Sequence, residues 1–263
     1  MKLSEINIYP VKSLAGIALP SSLLDAMGLR YDRRWMLVTP AGKFITQRTH
    51  PQMALIRPQL ADGVLTLTRQ GMLDHRVAAA SSESPTVQVE IWNERVNALH
   101  ISEQTDAWLT QAIDAPCSLV YFADEEIRPC DPEYAGEGDR TGFADGFPLM
   151  LISQASLDDL NARLQQQLPM KRFRPNLVVS GCSPYAEDEW SRIRIGDVVM
   201  RVVKPCSRCV ITTVDPETGV KGAGEPLRTL ASYRMRDNKI YFGQNLVHQQ
   251  RGTLSVNQAV VVE

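Results

Sequence analysis

A barrel-like, β-rich fold with only about three helices is what this sequence predicts. Two observations carry it. Short runs rich in Val, Ile, Thr and aromatic residues recur along the whole chain, separated by Gly, Pro, Asp and Asn. Helical spacing of apolar residues appears in few places, all beyond residue 100. Many short strands with turn signals between them favour a barrel or sandwich over a layered α/β sheet.

In chain order, Leu3 to Tyr9 mixes apolar and polar residues as a half-buried strand does. Pro10-Val11-Lys12-Ser13 ends it, and a loop follows. Arg34 to Val38 and Phe44 to Thr46 flank Pro40-Ala41-Gly42-Lys43 as a hairpin. Met53 to Leu60 and Val64 to Thr68 form a second around the Asp62-Gly63 turn. Thr86 to Ile91 and Val96 to Ile101 form a third. The first helix is expected from Ser102 to Asp114, stopped ahead of Pro116, since a residue before proline avoids helical geometry. Cys117 to Phe122 reads as a strand, and Asp124 to Phe147 as a long acidic loop of the kind that carries function. Leu149 to Ile152 is a short apolar strand, and Ser156 opens a helix through about Gln166. Leu177 to Ser180, a hairpin from Ile193 to Val203, a short helix from Pro226, and closing strands at Lys239 to Phe242 and Ala259 to Val262 complete the chain.

The 263 residues suffice for one large domain or two small ones. Hydrophobic content of 44% and charged content of 22% are those of a globular protein. A net charge of −2, with dispersed Lys and Arg, argues against nucleic-acid binding. Five irregularly spaced cysteines are no disulfide framework and favour a reducing compartment. No signal peptide pattern opens the chain and no apolar run of about 18 residues spans a membrane. The expected location is the cytoplasm, with no membrane partner.

Cys206 and Cys209 bracket Ser207 and Arg208, with Lys204 just before them. Four readings compete. A thioredoxin-like C-x-x-C opens a helix, but Val210 to Val214 here is rich in β-branched residues and reads as a strand. A structural zinc site needs two further ligands at short spacing, and Cys117, Cys130 and Cys182 stand apart. The pair also fits two ordinary buried thiols, or a single functional thiolate favoured by its cationic neighbours. The cations favour the last, being poor neighbours for an apolar core. The four histidines have no ligand-like spacing.

Six motifs then occur in one order: Y-P-V-K-S (Tyr9 to Ser13), D-R-R-W (Asp32 to Trp35), F-R-P-N (Phe173 to Asn176), C-S-R-C (Cys206 to Cys209), T-T-V-D-P-x-T-G (Thr212 to Gly219) and F-G-Q-N (Phe242 to Asn245). Together they resemble a MOSC-domain protein with its N-terminal β-barrel region, in the subgroup of the mitochondrial amidoxime-reducing component and its bacterial relatives. The resemblance implies an N-terminal MOSC domain over residues 1–100 and a MOSC domain over 101–263. It implies a molybdenum cofactor, a molybdopterin with Mo, whose metal is held by the second cysteine, Cys209. Lys12, Ser13, Arg33, Arg174, Asn176, Ser207 and Arg208 match family positions that contact the cofactor, and Asp145 is a candidate polar group near substrate. Taken singly, each has a plainer account: Lys12 and Arg33 as solvated charges, Arg174 as the partner of an acidic neighbour, Asn176 as a turn residue.

The implied reaction is reduction of N-hydroxylated compounds, N–OH to N–H. The rivals are a carrier of the cofactor or of sulfur without turnover, and a metal-free C-x-x-C protein. The last cysteine is Cys209, so the four cysteines of a C-x₄-C-x₂-C…C iron–sulfur cluster do not follow, and no G-x-G-x-x-G follows a strand. Electrons are therefore expected from a separate iron–sulfur or flavin carrier with its reductase.

Overall fold

The computed structural model describes all of Met1 to Glu263. It holds nineteen strands, three α-helices and four 3₁₀-helices, so the protein is mainly sheet, as the spacing of its apolar runs predicts. Its five cysteines are unpaired. No helix is long and apolar enough to cross a membrane.

The largest sheet follows the order Val260–Val262, Arg192–Ile195, Val198–Ser207, Lys239–His248, Leu149–Ser153, Leu177–Ser180, Lys2–Ile8, Ile17–Leu19. Its two ends meet. Lys2 bridges Ala259, and Leu3 N–H donates to the Gln258 carbonyl at 2.9 Å. Asn257 N–H donates to Leu3 O at 2.8 Å and Val260 N–H to Met1 O at 3.1 Å. The strands thus wrap round one core, which takes Leu3, Ile6 and Ile8 from the first strand and Ile193, Ile195 and Val198 from the far side.

Leu149–Ser153 is buried at every residue, and alternation explains why. Leu149 and Leu151 face that core, while Met150 and Ile152 face a second cluster formed with the helix that follows. That helix, Gln154–Arg163, is the crossover to the parallel strand Leu177–Ser180. Its N-cap is Ser153, whose hydroxyl accepts from Ser156 N–H, so the helix starts two residues before the predicted Ser156. Gly243 of F-G-Q-N has a reason in this sheet. Its φ is +83°, and a Cβ there would lie 2.7 Å from the Leu151 carbonyl oxygen.

A second body carries the sheet Trp35–Val38, Ser118–Tyr121, Glu94–His100, Thr86–Ile91 and a three-stranded sheet whose first turn is Asp62-Gly63, both at positive φ. Met53 to Leu60 is not one strand: Pro51–Leu55 is a 3₁₀-helix, and Arg57–Ala61 is the strand. Proline at the first helical position and the buried Met53 and Ala54 favour that turn. The helix Glu103–Ile113, capped by Ser102 and ended by left-handed Asp114, buries Leu109, Ala112 and Ile113 against this body. Two exchanges cross residue 100: strands Lys2–Ile8 and Ile17–Leu19 sit in the large sheet, while this helix and Ser118–Tyr121 pack with the second body.

His248 ties the large sheet to the strand Ser21–Asp25. Its Nε2 lies 2.7 Å from the Asp25 carbonyl, its Nδ1 is buried without a partner, and burial lowers its pKa. A folded-state pKa below the unfolded one contributes stability above the unfolded value of about 6.5, lost as pH falls through it. The melting temperature is expected to drop between about pH 7.5 and 5.5. Gln at position 248 keeps a donor for Asp25 O and should reduce that drop; an unchanged slope in His248→Gln would exclude this histidine as a source. Burial lowers the His75 pKa as well, so part of the drop should persist.

Candidate functional site

The site grows from two segments zipped together by backbone. Arg33 N–H donates to Tyr9 O at 3.0 Å, Trp35 N–H to Pro10 O at 3.0 Å and Lys12 N–H to Trp35 O at 2.8 Å, joining Y-P-V-K-S to D-R-R-W. Three residues of the resulting corner sit in left-handed backbone: Ser13 at φ +68°, Arg33 at +47° and Arg174 at +57°. Each such non-glycine residue costs on the order of 1–3 kcal/mol, and this kind of strain gathers at functional sites.

Packing holds the corner in place. Both guanidiniums lie on the buried ring of Tyr9, Arg33 at 4.4 Å and Arg174 at 4.2 Å from its centroid. The buried Asp32 carboxylate accepts from Tyr9 N–H at 2.7 Å and from Arg33 at 2.6 Å. Asn176 is buried: its Oδ1 accepts from Arg33 at 3.0 Å, and its Nδ2 donates to Asn7 O at 3.1 Å. It is a fixed joint of the corner. Arg174 pairs with no carboxylate; it donates Nη1 to Leu14 O at 2.7 Å, and burial pulls its pKa down to about 10. Burial pushes the Tyr9 phenol up to about 12 against the pull of both arginines.

The cysteines arrive on the far wall. Cys206 lies in the strand Val198–Ser207, and Arg208 N–H bonds to Ile240 O at 2.7 Å. The strand predicted after Cys209 is instead a 3₁₀-helix, Val210–Thr213, with Cys209 at its N-cap. The hydroxyls of Thr212 and Thr213 donate back to Cys209 O at 3.0 Å and Val210 O at 2.8 Å, and this local bonding overrides the β-branched preference. Asp215 shapes the next turn, accepting from the Glu217 and Thr218 amides.

One cavity, open to solvent, brings these walls together. Lys12, Ser13, Arg33, Asp145, Arg174, Asn176, Ser207, Arg208 and Cys209 all line it, whereas Lys204, expected beside the cysteines, turns instead to Asp131 at 3.4 Å and the Tyr134 ring. Cys206 lines it too, its sulfur 3.1 Å from Arg208 Nη1. Five cations face one carboxylate there. Lys12 is only 6% exposed, so it is not a solvated charge. Its ammonium donates to Asp145 at 2.5 Å and to Phe143 O at 2.8 Å, while burial lowers its pKa. Desolvation in the cleft works to raise the Asp145 pKa, but the side chain is 62% exposed to the open mouth, and Lys12, joined by Arg48 and Arg33, outweighs it and holds the group below the usual carboxylate range.

The fifth cation, Arg48, escaped the sequence reading, as did Phe147, Met150 and Asn245 of the lining. Asn245 ends F-G-Q-N and was within reach of the motif; the others carry no local signal. No group of three or more His, Cys, Asp or Glu is placed to hold a metal ion, so a metal at Cys209 would bring its other ligands with it.

Residues 1–116 match the model of the MOSC N-terminal beta barrel domain, and residues 138–261 that of the MOSC domain. The chain is 37% identical to human "Mitochondrial amidoxime-reducing component 1", over 98% of this chain and 81% of that protein. It is 35% identical to "Mitochondrial amidoxime reducing component 2" of Bos taurus, over 89% and 72% of the two chains. It is also 36% identical to "Molybdenum cofactor sulfurase" of Oryza sativa subsp. japonica, over 92% of this chain but 32% of that protein.

Proposed function

The chain belongs to the family of MOSC-domain proteins with an N-terminal MOSC β-barrel domain, and from that premise we propose that it is a molybdenum-cofactor-dependent oxidoreductase that reduces N-hydroxylated compounds, N–OH to N–H. The observation that carries this reading is a soft sulfur, Cys209, in one cavity with five cations.

The residues fit a phosphate-bearing, metal-bearing ligand. Arg174 spends only Nη1 on the protein, and Arg208 Nε is buried without a partner. Arginine forks suit a phosphate. In this reading Arg33, Arg174, Arg208 and Lys12 grip the anionic part, Ser13, Asn176 and Ser207 meet the polar pterin, and Cys209 holds the metal. When bound, the cofactor would supply the two electrons that, with two protons, convert N–OH to N–H and release the oxygen as water. Asp145, held as a carboxylate, acts as a hydrogen-bond acceptor that orients the substrate's N–H, with Lys12 keeping a proton beside it. A separate iron–sulfur or flavin carrier with its reductase delivers the electrons.

A second reading, a cofactor or sulfur carrier without turnover, is favoured by the likeness to the sulfurase. The two part in one experiment. Protein purified from molybdate-fed cells is assayed for molybdenum and pterin, then given an aromatic amidoxime with a chemically reduced viologen dye. Near-stoichiometric molybdenum and steady amidine formation are expected. Molybdenum without turnover would leave the carrier; neither metal nor pterin would remove both readings. With NADPH alone no amidine should form, and steady turnover on NADPH as sole donor would sink the separate-donor scheme.

A further inference from the structure

Arg48 comes from the second body, yet it reaches the sulfur on the far wall. Its Nη2 lies 3.4 Å from Cys209 Sγ and 3.9 Å from Asp145 Oδ2, so one nitrogen stands between the sulfur and the carboxylate of the cavity. The loop that carries it is pinned: Gln47, buried, donates to Ser13 O at 2.6 Å, and Arg48 N–H bonds to Thr46 Oγ1 at 3.2 Å. The guanidinium rests on Trp92, 4.6 Å from the ring centroid. Trp92 sits in a hairpin turn at φ +55° and packs on Phe44 at 5.2 Å. Lys12 Nζ lies 5.8 Å from that same Phe44 ring. The two cations that flank Asp145 are therefore both backed by one aromatic pair.

We propose that Arg48 is a positioning residue of this site, seated on Trp92, whose guanidinium fixes the Cys209 sulfur opposite the Asp145 carboxylate. Hydrogen bonds to a metal-holding group orient it and tune the metal. A guanidinium does this in a plane, which an ammonium cannot copy. The inference rests on the proposed molybdenum reading and adds to it a contribution from the N-terminal β-rich part.

The test uses molybdenum-loaded protein and four variants: Arg48→Gln, Arg48→Lys, Trp92→Ala and Trp92→Phe. Trp92 is 39% exposed, so its variants should fold. Molybdenum content, melting temperature, kcat, KM and the electron paramagnetic resonance signal of the half-reduced metal are read together. Arg48→Gln should lower kcat by roughly 10–100-fold with molybdenum retained and the resonance signal altered. Arg48→Lys should fall between it and the wild type. Trp92→Ala should lose part of the same rate, and Trp92→Phe should recover it. Unchanged kcat and signal in both Arg48→Gln and Trp92→Ala overturn the assignment. So does a loss in Arg48→Gln that tracks lost metal or lost folding while Trp92→Ala matches wild type. A wild-type protein with neither molybdenum nor turnover overturns the proposed function and Arg48's role together; an active wild type with unaltered variants overturns the latter alone.

Discussion

Cys209→Ser is expected to take reductase turnover to background and bound molybdenum with it, leaving the fold intact. Cys206→Ser should keep most of both. The two thiols share a cavity but not a setting. Cys209 Sγ meets Arg48 from the opposite wall. Cys206 Sγ accepts from Arg208 of its own segment at 3.1 Å and packs beside the cluster of Phe173 and Phe242. A serine hydroxyl accepts from Arg208 as readily as a thiol, so Cys206→Ser preserves that contact. At position 209 the same change removes the soft donor that suits a metal already bound by sulfur. Metal-to-protein ratio by mass spectrometry, thermal melting by circular dichroism and amidoxime turnover decide it. Equal loss from both substitutions would point to a paired C-x-x-C function instead.

The site was more legible than the fold that builds it. The six motifs are local strings, and the cavity gathers at least one residue from every one of them, Thr212 representing T-T-V-D-P-x-T-G. Arg48 lies outside them, in a stretch without distinctive neighbours, and its role depends on Trp92 and Cys209, 44 and 161 positions away. Arg128 was hidden in the same way, inside a loop read only as acidic and functional.

Strand existence followed from alternation, but alternation tells which side chains face inward, not which strand lies alongside. Lys2–Ile8 looked like the start of a local β unit, and its partner is Leu177–Ser180. Val210 to Val214 failed for another reason. Intrinsic preference favours a strand there, and two threonine hydroxyls bonded to carbonyls three residues back make it a turn of 3₁₀-helix.

Arg128→Met should be the most destabilising single change near the site. The Arg128 side chain is 2% exposed and spends all its nitrogens on the protein. Nε and Nη2 grip the Glu94 carboxylate at 2.8 and 3.1 Å. Nη1 donates to Gly142 O at 2.9 Å and Ala144 O at 2.6 Å, and Nη2 to Asp145 O at 3.3 Å. Glu94 is half exposed and will rehydrate once alone, so its loss costs little. The carbonyls are the larger matter, since each buried acceptor left unpaired costs about 1–3 kcal/mol. The Gly142 and Ala144 carbonyls are buried and the Asp145 carbonyl only partly so, which makes a loss of about 2 kcal/mol or more, or roughly 4–8 °C in melting temperature for a chain of this size. The consequence for the site follows from where those carbonyls sit. They hold the segment that presents Asp145 to Lys12 and Phe143 O to the same ammonium. Turnover in Arg128→Met, measured well below its melting temperature, should therefore fall further than the folded fraction does. Arg128→Lys keeps the charge but not the fork, and should recover part of the stability and less of the rate. A variant that melts like the wild type, or one that loses stability with turnover per folded molecule intact, would show that the loop holds Asp145 without Arg128.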